Sequence, residues 1–314
     1  MYSPLIIPFH GNKNIRRINK LILTLSVNYY LKKYKFDNPI LWAYVPNIID
    51  FFSKFNEKYI VYHCVDEISQ FPGVTENIIA MERELLRKAD IVFVTSKNLY
   101  ESKRVYNANT HYLPNVADVA HFSRASNDDI PIPAEMVSIQ KPILGFIGAI
   151  DDYKVDSDIL EYVAGFNWSI VLIGPLGLSD KAEKLKGLLS LKNIYHLGSK
   201  DYKVLPSYLK YFDVCLIPSR INNYTINVFP MKYYEYLAAG KPVIATRIPS
   251  LIDQKELAYI AKDKYEFKEL IEKALKEDSD YKRNERINAA AENTWEKRIE
   301  SMGELIESSL GRKG

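Results

Sequence analysis

Residues 213–246 have the sequence DVCLIPSRINNYTINVFPMKYYEYLAAGKPVIAT. The apolar run at 213–217 predicts a strand, and the polar residues that follow predict a loop. A helix is predicted over Pro230–Ala239, because proline is favoured at the first helical position and the Gly-Lys-Pro at 240–242 is typical of a helix end. Residues 242–246 predict a second strand. A strand, a helix and a further strand in this order indicate an α/β fold with a parallel sheet.

The same alternation continues along the chain. Apolar runs predict strands at Ile40–Tyr44, Tyr59–Cys64, Ile91–Thr95, Ile143–Ile147, Ser169–Ile173, Asn193–Leu197, Asp213–Ile217, Pro242–Thr246 and Leu257–Ile260. The stretches between them predict helices at Ile15–Tyr34, Thr75–Ala89, Lys97–Val105, Ser157–Gly165, Lys181–Leu189, Val204–Phe212, Pro230–Ala239 and Lys264–Leu275. The strand runs are continuously apolar, which is typical of strands covered by helices on both faces. We therefore predict the α/β class, with two Rossmann-like, doubly wound domains.

The boundary between these domains is predicted in a polar stretch with several prolines, Asp118–Lys141. We expect an N-terminal domain at 1–125, a linker at 126–141, a C-terminal domain at 142–280 and a helical region at 281–314. Two such domains facing each other would form a cleft at the carboxyl ends of both sheets, where ligands bind in doubly wound folds.

Composition and charge exclude several classes of protein. Of the 314 residues, 47% are hydrophobic and 26% are charged, as in globular proteins. The net charge of +3 is too small to indicate nucleic-acid binding, and no nucleic-acid motif occurs. Two cysteines are too few for a disulfide framework or a cysteine-bound zinc site. No apolar run reaches about 18 residues, the length that a membrane helix needs, so we expect a cytoplasmic protein.

Lys232 lies in the first turn of the predicted helix, where the helix dipole favours anions rather than cations. A lysine there, close to Thr225 in the preceding loop, is suited to binding an anion such as a diphosphate. Glu235 follows about one turn later on the same face and can accept both hydroxyls of a ribose. Together they predict a nucleoside-diphosphate site. The alternative is an exposed Lys–Glu pair on a surface helix.

Several segments resemble the GT-B glycosyltransferases of family 4, also called group 1 glycosyltransferases. Residues 227–246 are similar to the donor-site signature of that family, and LPNVAD at 113–118 is similar to its interdomain segment. GFIGA at 145–149 resembles the first loop of the donor domain, and the segment 197–214 resembles the base-binding region. The resemblance implies a GT-B fold and a hexosyltransferase of the bacterial polysaccharide type. Such an enzyme moves sugar from a nucleoside-diphosphate sugar to a glycan or polyprenyl-linked acceptor.

The resemblance also implies roles for particular residues. Glu235 would hold the ribose, and Lys232 with Thr225 would hold the diphosphate of a UDP or GDP sugar. Gly148 would let the backbone approach the donor, and the loop after Gly198 would contact the base. Lys232 is also a catalytic candidate, because its charge can stabilise the leaving diphosphate.

Two features depart from the family pattern. Asn227 stands where the family often carries a second glutamate. Its amide can hydrogen-bond a sugar hydroxyl of the donor but cannot act as a carboxylate, so the sequence does not choose between retention and inversion at the anomeric carbon. Family members have a strand, a glycine-containing loop, a helix and a second strand before the segment that corresponds to residues 39–44. This chain predicts one helix there. We therefore expect a shortened N-terminal domain.

Asp66 is the candidate general base. It follows the predicted strand 59–64 at the sheet edge where ligands bind, and a carboxylate there can take the proton of an acceptor hydroxyl. It also resembles the acidic base of some inverting bacterial GT-B enzymes, such as the xanthan glucuronosyltransferase type. The alternative is that Asp66 caps a loop or helix and that His63 is a core residue.

No metal site is predicted. Asp156-Ser-Asp158 and Asp278-Ser-Asp280 match the Asp-x-Asp metal motif of other glycosyltransferases. Each precedes a predicted helix and neither ends a strand, so helix capping explains them better. We expect a nucleotide sugar as co-substrate and no metal cofactor.

Residues 11–35 contain seven basic side chains and no acidic one, with apolar residues at helical spacing. A basic amphipathic helix can lie on anionic lipid, so this segment predicts peripheral contact with the inner face of the cell membrane. The alternative is a surface helix that packs its apolar face on the first sheet.

These observations favour a glycosyltransferase that acts in cell-surface polysaccharide synthesis. A sugar-nucleotide epimerase of the same fold is one alternative, although such enzymes need several acidic and histidine residues around the sugar and this chain has only five histidines, thinly spread. A non-catalytic donor-binding or scaffold protein is the other. Nucleotide binding and transfer activity distinguish the three.

Overall fold

A computed structural model of the chain describes Ile7 and residues 13–71, 73–177 and 187–311. The chain divides into two compact units, Met1–Leu113 with Glu304–Gly314, and Pro114–Gly303. The division thus falls before residue 125, where we predicted the first domain to end. Residues 126–141, predicted as a linker, lie within the second unit. They lie there because the polar stretch contains apolar side chains that are buried in the core of that unit: Phe122, Ala125, Met136 and Ile139.

The first unit contains a four-stranded parallel sheet in the order β1-β2-β3-β4. Its elements are α1 (Lys13–Lys33), β1 (Ile40–Ala43), β2 (Tyr59–Cys64), α2 (Glu76–Lys88), β3 (Ile91–Val94), α3 (Lys97–Lys103) and β4 (Thr110–Tyr112). In the register of the sheet, Val61 lies opposite Ile91. The sequence did not predict β4, because its three residues, Thr-His-Tyr, form no apolar run.

The second unit contains a six-stranded parallel sheet in the order β10-β9-β8-β5-β6-β7. Its strands are β5 (Ile143–Ile147), β6 (Ser169–Ile173), β7 (Ile194–His196), β8 (Val214–Ile217), β9 (Val243–Thr246) and β10 (Tyr259–Ala261). Its helices are α4 (Val119–Phe122), α5 (Ser157–Ala164), α6 (Leu205–Tyr211), α7 (Lys232–Ala238), α8 (Pro249–Ile252), α9 (Lys264–Glu277) and α10 (Asp280–Ala291). The last helix, α11 (Trp295–Gly311), begins in this unit, and its residues from Glu304 onward belong to the first unit. The strand order reverses between β5 and β8, and ligands bind at such a reversal in doubly wound sheets.

The four inner strands of the second sheet, β5, β6, β8 and β9, are buried on both faces, as their continuously apolar sequences predict, while the edge strands β7 and β10 are partly buried. Ile147 and Ile173 belong to a core on one face, where α7 packs. Phe146 and Leu172 belong to a separate core on the other face, where α5 and α9 pack. Because side chains alternate between faces along a strand, neighbouring residues of one strand stabilise different helix layers.

The helical predictions hold for most of the described residues. In its described part, the region at 281–314 contains two helices, α10 and α11, with a turn at 292–294 between them. Residues 181–186 of the helix predicted at Lys181–Leu189 lie outside the described residues. Within the described part of the chain, no helix combines the length and apolar character needed to span a bilayer.

Candidate active site

Three glycines follow three neighbouring strands at one edge of the second sheet. Gly148 follows β5, Gly174 follows β6 and Gly198 follows β7, and their φ angles are +150°, +144° and +69°. The amide of Gly174 donates to the carbonyl of Gly198 at 2.9 Å. A Cβ on Gly174 would lie 2.0 Å from the carbonyl oxygen of Gly148, so these backbones pack too closely for side chains. At this edge Gly148 and Gly198 are half-buried and Gly174 is buried, so part of the backbone is accessible.

Lys232 covers this edge. Helix α7 begins at Lys232, which confirms its predicted place in the first turn. A Cβ on Gly148 would lie 2.3 Å from Cε and 2.5 Å from Nζ of Lys232, so the ammonium occupies the space above the glycine. Nζ also lies 5.4 Å from the ring centroid of Phe146. The structure thus brings together two of the residues that the sequence selected.

Glu235 lies on the same helix, and its carboxylate interacts with Lys232. Burial lowers the pKa of Lys232 and the charge of Glu235 raises it, while the nearby cation of Lys154 lowers it again. Burial raises the pKa of Glu235, and Lys232 lowers it. Both side chains remain partly exposed. The site therefore holds a partly desolvated ammonium and carboxylate that a polar ligand can reach.

Lys154 is a second cation that the sequence analysis did not select. It lies in the loop after β5, and its Nζ is 5.4 Å from the ring of Tyr153 and 5.5 Å from the ring of Tyr224. The positive charge of Lys154 lowers the pKa of Lys232. A search for cations in each loop at the carboxyl edge of the sheet would have found it.

Thr225 and Asn227 form a short turn in the loop before α7. The buried hydroxyl of Thr225 donates to the carbonyl of Arg220 and accepts from the amide of Asn222 at 3.1 Å. Nδ2 of Asn227 donates to the carbonyl of Asn223 at 2.8 Å. Both side chains thus hold their own loop together, and their contacts with a donor stay a prediction.

Tyr236 fixes α7 against β5. Its buried hydroxyl accepts a hydrogen bond from the amide of Ile147 at 2.9 Å, one residue before Gly148. The helix that carries Lys232 and Glu235 is therefore tied to the strand that leads into the glycine edge. The sequence analysis did not select Tyr236.

Asp66 belongs to the first unit and follows β2. The thiol of Cys64 donates to its carbonyl oxygen at 3.4 Å. The next residue, Glu67, is buried and pairs with Lys103 at 2.9 Å. This pairing anchors the loop, while the catalytic role of Asp66 stays a prediction. His63 is buried beside the rings of aromatic residues, as the alternative interpretation of this segment expected.

The two Asp-x-Asp segments have structural roles. The Asp156 side chain caps α5 and accepts from the amide of Asp158 at 3.0 Å. In the other segment the cap of α10 is Ser279 rather than an aspartate, while Asp278 pairs with Arg286 at 2.5 Å. Among the described residues, no group of three or more His, Cys, Asp or Glu side chains could hold a metal ion.

Comparison with known proteins identifies a family. Residues 134–294, just over half of the chain, match the family model for glycosyl transferases group 1. The chain is 27% identical over 225 residues to TuaH of Bacillus subtilis, which is named as a candidate glycosyltransferase of teichuronic acid biosynthesis. That match covers 67% of this chain and 56% of TuaH, so the chain spans little more than half the length of this relative.

Solved structures match over most of the chain. Sucrose-phosphate synthase from Thermosynechococcus elongatus has a TM-score of 0.72 and 18% identity, over 99% of this chain and 83% of the synthase. Anabaena HepE, crystallised with UDP, has a TM-score of 0.71 and 14% identity, over 93% of this chain and 84% of HepE. These likenesses show that the fold is GT-B. With the family model matched over more than half of its residues, this chain belongs to the group 1 glycosyl transferases.

Proposed function

We propose that this chain transfers a glycosyl group from a nucleoside-diphosphate sugar to a glycan or lipid-linked acceptor in cell-surface polysaccharide synthesis. The observation that carries the proposal is the position of the Lys232 ammonium above Gly148 and beside Glu235. The family match supports a glycosyltransferase activity, and the name of TuaH supports a polysaccharide product. The structures of HepE with UDP favour a uridine nucleotide as donor.

In this proposal, the donor lies along the glycine edge of the second sheet. Lys232 and Lys154 bind the diphosphate, and their charge stabilises the leaving group as the glycosidic bond to it breaks. Because Gly148 has no side chain, the Lys232 ammonium and the diphosphate can lie against its backbone, and Glu235 accepts the ribose hydroxyls. Thr225 acts by holding the loop before α7 in shape.

Asn227 hydrogen-bonds a sugar hydroxyl in this proposal and supplies no carboxylate. Asp66 takes the proton of the acceptor hydroxyl as general base. The anchoring of its neighbour Glu67 by Lys103 supports this role, because a general base must be held in reach of the proton that it removes. A test is Asp66→Asn, which should abolish transfer and leave UDP binding unchanged.

Contact with the inner face of the cell membrane is part of the proposal. Helix α1 exposes an apolar stripe, formed by Ile18, Leu21, Leu25 and Tyr29. The helix contains basic residues and no acidic one, which suits an anionic lipid surface. Its opposite side, with Leu23, Val27 and Leu31, lines an apolar cavity of about 310 Å³ within the first unit. Gly11 and Asn12 of the predicted segment lie outside the described residues.

Co-sedimentation with vesicles tests this contact. Vesicles that contain phosphatidylglycerol should bind the protein, and phosphatidylcholine vesicles should bind it less. The pair of substitutions Leu21→Ser and Leu25→Ser should reduce binding without lowering the melting temperature, because both side chains are exposed. Equal binding by the variant would contradict the contact.

A nucleotide-binding assay tests the donor site. UDP, GDP, CDP and ADP are titrated into the wild type, Glu235→Ala and the matched control Glu269→Ala, whose side chain is exposed on α9. A ligand at 100 times its Kd raises the free energy of unfolding by about 2.7 kcal/mol, which shifts the melting temperature measurably. One nucleotide should stabilise the wild type and the control but not Glu235→Ala. Stabilisation of none of the proteins would contradict the proposed function.

A further inference from the structure

Helix α1 contributes no described side chain to the hydrophobic core of the first unit, which joins the sheet to α2 and α3. Two polar contacts tie the helix to the segment that follows β1. Nδ2 of Asn28 donates to the carbonyl of Lys54 at 2.9 Å, and Nζ of Lys20 lies 4.0 Å from a carboxylate oxygen of Asp50. The apolar side of α1 therefore faces the unit without being packed into its core.

The apolar cavity of about 310 Å³ lies between α1, β1 and the segment 48–55. Its wall on the side of α1 consists of Leu23, Val27 and Leu31, which recur at every fourth position and so share one side of the helix. All three side chains are only half-buried. On the opposite side, Ile40 of β1 lines the cavity and is 43% exposed. The cavity is thus open to entry, and its apolar walls gain from being covered.

The lining determines which kind of ligand can enter. Among the described residues that line the cavity, Glu57 is the only charged one, and its carboxylate accepts from the amides of Ser53 and Phe55. A sugar or a nucleotide would lose hydrogen bonds to water on entering such a site, which is unfavourable. A hydrocarbon chain has none to lose and is stabilised by leaving water. An apolar cavity of about 150 Å³ holds one benzene molecule, so this one has room for roughly a dozen carbon atoms, the size of a single lipid chain.

The charges around the cavity favour a lipid with an anionic head group. Lys32, Lys54 and Lys58 are exposed, and each is adjacent in sequence to a residue of the lining. The exposed apolar stripe of the same helix is the surface that we assign to membrane contact. Since acyl chains supply most of the hydrocarbon of a bilayer, mass action favours an acyl chain as the occupant over any rarer lipid.

We propose that the cavity beneath α1 takes one acyl chain of an anionic membrane lipid. The chain lies between α1 and β1, and the head group lies among the exposed lysines. The protein then holds a lipid molecule in a defined site, in addition to lying on the membrane surface. This inference rests on the membrane contact within the proposed function, but it is independent of the donor site.

Calorimetric titration of alkyl phosphates, each below the concentration at which it forms micelles, tests the cavity without vesicles or nucleotides. Each methylene group that enters an apolar site should tighten binding about fourfold, so affinity should rise steeply from octyl to dodecyl phosphate. The rise should stop at roughly a dozen carbons, where the cavity is full. Inorganic phosphate should not bind measurably. An affinity that does not depend on chain length would refute the proposal.

A bulky side chain inside the cavity provides the matching substitution. Val27→Trp should weaken dodecyl phosphate binding at least about 10-fold, because the indole takes the space of several methylene groups. The matched control is Val105→Trp, at a position that is 73% exposed, and it should bind as the wild type does. Val27→Phe serves in the same way if Val27→Trp is unstable. A folded Val27→Trp that binds dodecyl phosphate as tightly as the wild type would overturn the proposal.

Two comparisons identify the occupant and separate the cavity from the membrane contact. Farnesyl phosphate should bind no more tightly than dodecyl phosphate, and binding at least about 10-fold tighter would overturn the acyl chain in favour of an isoprenoid chain. Leu21→Ser with Leu25→Ser leaves the lining intact, so this variant should keep its affinity for dodecyl phosphate. If the wild type binds dodecyl phosphate but not phosphatidylglycerol vesicles, the membrane contact fails, and with it the membrane as the source of the chain. If it binds the vesicles but not dodecyl phosphate, the cavity proposal alone is refuted.

Discussion

Replacing Gly148 by alanine tests whether Lys232 holds the donor from the space above this glycine. The new Cβ would lie 2.3 Å from Cε and 2.5 Å from Nζ of Lys232, so the ammonium has to move away. The φ of +150° at this position adds about 1–3 kcal/mol of strain for a residue other than glycine. Because the displaced atoms are the flexible end of a side chain, the unit should still fold, with a loss of stability of about that size.

The Gly148→Ala substitution should also weaken binding of the donor. A hydrogen bond from a charged group contributes about 1.5–3 kcal/mol, so displacement of the Lys232 ammonium should weaken UDP binding about 10- to 150-fold. Calorimetric titration measures the affinity, and urea unfolding of the same samples measures the stability. Both values are needed, because a partly unfolded protein would also bind UDP weakly. A variant that stays folded and binds UDP weakly has lost a contact with the ligand.

Two other glycines provide matched controls. At Gly174 the new Cβ would lie 2.0 Å from a backbone oxygen that has no freedom to move, so Gly174→Ala should lose more stability than Gly148→Ala. At Gly303, within α11, nothing lies within 4 Å, and alanine should stabilise the helix by about 0.5–1 kcal/mol with unchanged UDP affinity. If Gly148→Ala folds and binds UDP as tightly as the wild type, Lys232 does not bind the diphosphate from this position and the reasoning is refuted.

Three further predictions concern buried polar groups. Tyr236→Phe removes the acceptor of the Ile147 amide, so urea unfolding should show a loss of about 1–3 kcal/mol. Lys103→Met leaves two buried carboxylates without their cation and should cost about 3–5 kcal/mol in the same assay. Because burial raises the pKa of Glu235, UDP affinity should decrease as the pH is lowered through that raised pKa, at a higher pH than an ordinary carboxyl would give. Titration of UDP over a pH series measures this.

Each of these predictions has a result that would contradict it. Unchanged stability of Tyr236→Phe would mean that the amide finds another acceptor. Lys88→Met, which breaks an exposed pair with Glu84, should cost at most about 1 kcal/mol, and an equal loss in Lys103→Met would contradict the buried pairing. The terminal phosphate of UDP also titrates at about pH 6, so the test is the difference between the wild type and Glu235→Gln over the pH series. Identical pH profiles for the two proteins would show that Glu235 does not contribute to the pH dependence.

The strands of this fold could be predicted because each one depends on residues that are adjacent in the sequence. The strands at Tyr59–Cys64, Ile143–Ile147 and Ser169–Ile173 have the predicted bounds, since each is a continuous apolar run in a chain that is polar on either side. The place of Lys232 in the first turn of α7 could also be predicted from nearby residues, because Pro230 precedes the helix and Gly240 follows it. The proximity of Lys232 to Gly148 could not be predicted in this way, because 83 residues lie between them and only the order of the strands brings them together.

The residues that the sequence analysis missed also depend on contacts between distant parts of the chain. Lys154 lies over the ring of Tyr224, and Tyr236 bonds to Ile147, in each case across about a quarter of the chain. Helical spacing describes only which residues share a face of one element. A contact between two loops at the edge of a sheet depends on the order of the strands, which follows from the packing of the whole unit.

Thr225 illustrates a different limit, because its place in the loop before α7 was predicted from the sequence and the hydrogen bonds of its hydroxyl were not. A hydroxyl in a loop before a helix can contact a ligand, but threonine also bonds readily to backbone groups a few residues away. In this chain the hydroxyl bonds to Arg220 and Asn222, which satisfies a buried polar group that would otherwise be costly. A motif therefore identifies the segment that forms a site, and the hydrogen bonds of each side chain decide whether it contacts the ligand or shapes the loop that does.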